Sequence, residues 1–216
     1  MIDTVIFDMD GVIVDLEEFH LAAFKDVLSG VGQKMDDSFY FENIGVSTDD
    51  IFRKQLRSSE DIDFLAREKE KKARYFMKGK ILPKPGVMEL LIQLKKNKKK
   101  TGLASSADRD NVLDVLKELG IRDFFQVIMT GDDVSNKKPD PEIFLKTAEK
   151  LKSGLNECIV IEDSLPGIIA AKSANMKCIA VKNRFVGQDT YGDADLIVND
   201  LTAVNLDIIN NFKKGD

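Results

Sequence analysis

Six short apolar runs recur along this chain, and they restrict its fold more than any other feature: TVIF (4–7), TGLA (101–104), QVIM (126–129), CIVI (158–161), CIAV (178–181) and DLIV (195–198). Each is apolar nearly throughout, as a strand is when both faces of its sheet are covered. Helical periodicity fills most of the intervals. GVMELLIQLKK puts Val87, Leu90, Leu91 and Leu94 on one face, and NVLDVLKELG repeats the spacing through Val112, Leu116 and Leu119. Gly120 stands where a left-handed residue would close the second of these helices, and Pro141 stands at the expected first position of the helix in DPEIFLKTAEKL. Alternation of this kind predicts an α/β fold with a doubly wound, Rossmann-like parallel sheet.

The interval between the first two runs departs from that rhythm. Residues 16–80 are far longer than one crossover and read as helical throughout, with apolar stripes around 24–28, 51–56 and 62–76. The turn-like stretches SGVG (29–32) and RSSED (57–61) divide them, and ILPKPG (81–86) breaks the last helix. The expected organisation is a catalytic α/β core made of 1–15 and 81–216. A helical cap, 16–80, is inserted after the first strand on two hinges, near 14–16 and 80–85.

In open α/β sheets, ligands bind outside the carboxyl ends of the strands, so the polar residues at those ends are the candidate site. The first strand is followed by Asp8 and Asp10, the second by Ser105 and Ser106, the third by a loop carrying Lys137 and Lys138, and the fourth by Glu162 and Asp163. Carboxylates crowded in this way must either raise their pKa values or bind a cation. All-oxygen donors without histidine or cysteine favour a hard ion, and Mg²⁺ is the expected one. A lysine and a serine hydroxyl suit a phosphate beside that ion. The chemistry implied is phosphoryl transfer. One aspartate attacks phosphorus, with its charge repulsion offset by the cation and the lysine, and the second protonates the leaving oxygen and later activates the acceptor.

Composition narrows the partners. A formal net charge of −5 argues against a dedicated nucleic-acid binder. The basic runs KKNKKK (95–100) and REKEKKAR (67–74) fall at or within predicted helices and read as solvated helix surface. No segment approaches a membrane span and the N-terminus lacks a basic-then-apolar leader, so a cytoplasmic location is expected. Cys158 and Cys178 lie inside strand-like runs without metal-ligand spacing and read as buried, reduced thiols.

The strand-end motifs resemble those of a known family. DMDGVIVD is similar to the first motif of the haloacid dehalogenase-like superfamily of phosphatases and phosphomutases; GLASS resembles its second, KKPDP its lysine motif and VIEDSLPG its acidic motif, all in the family's order. The resemblance implies Asp8 as nucleophile, Asp10 as general acid and base, and Ser105, Ser106 and Lys138 at the phosphate. It implies Mg²⁺ held by Asp8, the Asp10 carbonyl and Asp163, with Glu162 acting through water. A small phosphorylated metabolite is the implied substrate and a monomer the family default.

Within the superfamily, FH (19–20) and GVSTDD (45–50) look like cap elements of the branch that holds β-phosphoglucomutase and related sugar-phosphate phosphatases. The mutase pattern carries an arginine after GVS for the distal phosphate, where this chain has Thr48, and a threonine where it has Leu16. Ser106, Ala107 and Asp108 also depart from that pattern, and Asp108 reads as the cap of the following helix. These departures favour a phosphatase over a phosphomutase. His20 either packs beside the stripe containing Phe24 or contacts substrate, and Lys71 either reaches a second substrate group or lies on a solvated face. A phospho-accepting signalling module would also combine acids, Mg²⁺, hydroxyl and lysine, but needs neither Asp10 nor a cap.

Overall fold

The computed structural model describes residues 2–56, 61–185 and 187–212, so most of the RSSED turn, 57–60, lies outside the described residues. The chain runs β1 (Thr4–Phe7), α1 (Glu17–Gly30), α2 (Asp37–Glu42), α3 (Thr48–Gln55), α4 (Ile62–Met77), α5 (Val87–Lys96), β2 (Lys100–Ala104) and α6 (Arg109–Glu118). It continues through β3 (Val127–Met129), α7 (Glu142–Lys150), β4 (Cys158–Glu162), α8 (Leu165–Ser173), β5 (Lys177–Val181), β6 (Leu196–Val198) and α9 (Leu206–Asn211). All six expected runs form strands, in one parallel sheet of order β3-β2-β1-β4-β5-β6. The order reverses at β1, which puts the ligand crevice of a doubly wound sheet beside it.

Alternate strand residues enter opposite apolar clusters, as a period of two requires. Val5, Phe7, Leu103, Ile159 and Ile161 face one way with the stripes of α5 and α6. Ile6, Ala104, Val160, Cys178 and Ala180 face the other, beneath α7 and α8. Both cysteines are buried and unbridged. Gly120 has φ +66 behind α6. Pro141 sits one residue earlier than expected, at the N-cap of α7, where its carbonyl accepts from Leu145 N–H at 3.1 Å.

Residues between β1 and α5 form helices α1–α4 with an apolar cluster of their own, built on Leu21, Phe24, Leu28, Tyr40, Phe52 and Leu65. The segments that join this insert to the sheet pair with one another. Val14 bridges both Asp10 and Pro83, and Lys84 N–H donates to Ile13 O at 2.8 Å. The insert also touches the sheet's ligand edge, through Arg74 with Asp108 at 3.3 Å and through Phe41 stacked on Phe185 with ring centroids 4.4 Å apart. Among the described residues, no helix is long and apolar enough to cross a membrane. The basic run 95–100 is divided between the end of α5, a turn in which Lys98 has φ 55, and the first residue of β2.

Candidate active site

The parallel register brings the strand ends together. Phe7 pairs with Leu103 on one side and Ile161 on the other, so the next residue of each strand emerges at one edge. Asp8 is held there by its own N–H, which donates to Ile161 O at 2.9 Å, and its side chain is buried. Lys138 comes from the β3–α7 loop with its side chain 4% exposed. Its ammonium donates to Asp8 Oδ1 at 2.5 Å, Glu162 Oε1 at 2.6 Å and Ala104 O at 3.1 Å. All three protons are thereby used inside the protein. Burial alone would push this ammonium's pKa down, but the two carboxylates raise it, so it stays charged.

Glu162 is the last residue of β4 and fully buried. Its Oε2 accepts from Asp163 N–H at 2.8 Å, Ser164 N–H at 3.0 Å and Ser164 Oγ at 3.0 Å, which leaves it little capacity for another ligand. Asp163 Oδ2 accepts from Asn183 Nδ2 at 2.7 Å. A Cβ at Gly11, whose φ is +74, would lie 1.8 Å from that same oxygen, so only glycine permits this approach.

Asp8, Glu162 and Asp163 offer carboxylate oxygens all within 4.8 Å of one another. Burial, with Glu162 and Asp10 adding to it, raises Asp8 to about 7 although Lys138 pulls the other way. Asp163 is raised well above the usual carboxylate range by burial and then by Glu162 and Asp8. A trio of buried acids with a single lysine is the charge balance of a site that takes a cation. The all-oxygen donor set suits a hard divalent ion.

Asp10 turns away from this trio. Its Oδ1 accepts from Leu16 N–H at 2.9 Å, and its Oδ2 lies 3.4 Å from His20 Nε2, toward the helical insert. His20 therefore faces the site. Its Nδ1 is 2.9 Å from Lys69 Nζ. An ammonium can only donate, so Nδ1 accepts and the ring proton sits on Nε2, pointing at Asp10. Ser105 Oγ accepts from Ala107 N–H at 3.2 Å, and Ser106 lines the same cleft. Asp108 caps α6 by accepting from Asn111 N–H at 2.8 Å.

Lys71 does not reach this cleft: its side chain is 72% exposed, 3.6 Å from Glu68. The lysine that does is Lys69, within the run read above as solvated surface, and that reading is corrected here. Leu65, Lys69, Ala73 and Met77 recur at a spacing of four and form the buried face of α4. Position 71 falls about 200° around the helix from position 69. The spacing was available in the sequence; the charged composition of the run obscured it.

Further residues complete the cleft without any local signal. Glu17 is buried one residue past Leu16 and accepts from Tyr40 Oη at 2.5 Å. Burial, then Asp10, raises Glu17 to about 7 against the pull of the Tyr40 hydrogen bond and the Lys69 ammonium. The folded protein thus holds this proton more tightly than the unfolded chain does. The stability it contributes is full below the ordinary value of 4.5 and lost as pH rises through about 7. Glu17→Gln should accordingly raise the melting temperature by roughly 2–8 °C at pH 8 and change it little near pH 4.5. Equal effects at the two pH values would show that ionisation of Glu17 carries no such penalty.

Glu70 Oε1 accepts from Lys69 Nζ and from Thr48 Oγ1, each at 2.9 Å. The cleft between insert and sheet has a volume of about 140 Å³.

The profile of the family described as Haloacid dehalogenase-like hydrolase matches residues 5–181. The chain is 34% identical to the β-phosphoglucomutase of Bacillus subtilis over 95% of its own length and 92% of that protein's. It is also 34% identical to a phosphorylated carbohydrates phosphatase of Thermotoga maritima, over 82% of this chain and 83% of the relative. The crystal structure of β-phosphoglucomutase from Clostridium difficile superimposes with a TM-score of 0.87 at 32% identity, covering 98% of this chain and 97% of that one.

Proposed function

Since the chain belongs to the haloacid dehalogenase-like hydrolases, an enzyme family with phosphatase and phosphomutase relatives, we propose that it is a Mg²⁺-dependent phosphatase of a small phosphorylated metabolite, such as a sugar phosphate, working through an aspartyl-phosphate on Asp8. Residues 1–15 and 81–216 act as the catalytic core and 16–80 as the cap over it. The observation that carries the reading is the division of labour between two aspartates. Asp8 lies among Lys138, Glu162 and Asp163, whereas Asp10, two residues on, points to His20 and the insert.

Asp8, Asp163 and the Asp10 backbone carbonyl would hold Mg²⁺, with Glu162 acting through water. The ion supplies charge neutralisation at the phosphoryl oxygens when bound. Lys138, fixed on Asp8 and Glu162, supplies positive charge beside the phosphoryl group, and Ser105 and Ser106 orient it. Asp8 attacks phosphorus, the ester P–O bond breaks, and Asp10 gives its proton to the leaving oxygen. Asp10 then takes a proton from water as that water attacks phosphorus, which releases inorganic phosphate and regenerates Asp8.

Retention of the phosphoryl group, as in a mutase, needs a firm grip on a second phosphate, best supplied by the planar fork of a guanidinium. Among the described residues that line the cleft there is no arginine, and Thr48 gives its proton to Glu70. Water is therefore the expected acceptor. A panel of phosphorylated metabolites with Mg²⁺, scored for free phosphate and for isomer, tests this. β-Glucose 1-phosphate should yield more phosphate than glucose 6-phosphate, and efficient isomerisation with little phosphate released would return the chain to the mutases.

A further inference from the structure

Resting on the phosphatase reading above, we propose that Glu70 restricts this cleft to monophosphates with an uncharged far end, by consuming the groups that would otherwise hold a second phosphate. The cap side of the cleft carries a single described ammonium, Lys69, buried with its side chain 4% exposed. Its protons go to Glu70 Oε1 at 2.9 Å, to His20 Nδ1 at 2.9 Å and, at 3.5 Å, to Thr48 Oγ1. The Thr48 hydroxyl proton goes to Glu70 as well. An arriving phosphate would find both of its candidate donors occupied by the same carboxylate.

The charge of that carboxylate also opposes a second phosphate. Burial alone would raise Glu70, but the Lys69 ammonium and the hydrogen bonds from Lys69 and Thr48 hold it down at about 2, so it is an anion near neutral pH. Its Oε2 is out of contact with solvent and has no hydrogen-bond partner, which leaves that half of the charge unscreened. Glu17, the other cap carboxylate in the cleft, carries only part of a charge near neutrality. The fixed negative charge of the cap side is therefore Glu70's, and it offsets the Lys69 ammonium. A hydroxyl-bearing end needs no counter-charge here, whereas a second phosphate finds the one described ammonium of the cap side already neutralised by Glu70.

The test compares 1,5-pentanediol monophosphate with 1,5-pentanediol bisphosphate, which differ only at the far end. Both affinities are measured by calorimetry with Mg²⁺ in an Asp8→Asn background, where neither ligand is consumed. With Glu70 present, the monophosphate should bind more tightly by roughly tenfold or more, and Glu70→Gln should reduce that ratio about tenfold or invert it. Each ratio is taken within one protein, so a general loss of affinity cancels. A bisphosphate that binds as tightly as the monophosphate with Glu70 present overturns the inference, even if the Glu70→Gln protein does not fold. A ratio unchanged by Glu70→Gln overturns it too. Release of p-nitrophenol from p-nitrophenyl phosphate by the wild-type protein is measured in parallel. Its absence, with neither ligand bound, removes the phosphatase reading and this inference with it, whereas turnover with an unfavourable ratio removes the inference alone.

Discussion

Asp8→Asn is expected to lower phosphate-ester turnover on the order of a thousandfold or more while leaving the protein folded. Asparagine keeps the shape and can still accept from Lys138, but it is not a nucleophile toward phosphorus. Its effect on stability has a definite sign. Asp8 is raised from 3.8 to about 7, so the folded state holds the proton more tightly than the unfolded chain does. That contribution is complete below 3.8 and is lost as pH rises through about 7. A residue that cannot ionise avoids the loss, so at pH 8 in metal-free buffer the variant should melt at the wild-type temperature or above. Turnover is followed by phosphate release and folding by thermal melt on the same preparation. Activity within tenfold of wild type would falsify the assignment of Asp8 as nucleophile.

Asp10→Asn is expected to separate two classes of substrate. Hydrolysis of an alkyl phosphate, whose leaving oxygen must be protonated, should fall by roughly a hundredfold to ten-thousandfold. p-Nitrophenyl phosphate has a stable leaving anion and should still phosphorylate Asp8, with a smaller loss in that first step. Discharge by water then lacks its base, so the phosphorylated protein should accumulate and appear in intact mass as one added phosphoryl group. The neighbours of Asp10 support this role. Leu16 N–H holds one carboxylate oxygen at 2.9 Å and His20 stands by the other, so the second oxygen is aimed at the cleft between core and insert. Equal losses on both substrates, with no phosphorylated species trapped, would place Asp10 in a structural role instead.

The core half of the site was legible because strand residues carry their positions with them. TVIF, TGLA and CIVI are each followed by a polar residue, and in a parallel sheet such ends share one edge, so Asp8, Ser105 and Glu162 had to be neighbours. Lys138 was less determined, since a loop lysine can equally well point to water. The structure buries it between Asp8 and Glu162. Asp10 followed Asp8 by two residues in the sequence, but nothing local indicated that its side chain would turn toward the insert.

The insert was legible only as helices. Its stripes are correctly placed along the chain, yet a stripe gives a buried face without naming what it faces. Lys69 shows the difference. Its spacing with Leu65, Ala73 and Met77 marks it as buried, but a buried lysine requires partners, and those come from α1 and α3 as well as from its own neighbour Glu70. Glu17 meets Tyr40 across a separation of 23 residues, and no pattern within either helix announces that pair.

Read alone, the sequence settled which six apolar runs become strands, the helical insert after the first of them, and the set of acids, hydroxyls and lysine at the sheet's ligand edge. These follow from local periodicity and from the geometry that all parallel sheets share. Which cap residues line the cleft, and how their charges are spent, came from packing: Lys69 in place of Lys71, and Glu70 drawing on both Lys69 and Thr48. Those choices depend on the rotation and approach of whole helices packed against one another, which is settled by contacts between segments far apart in the chain.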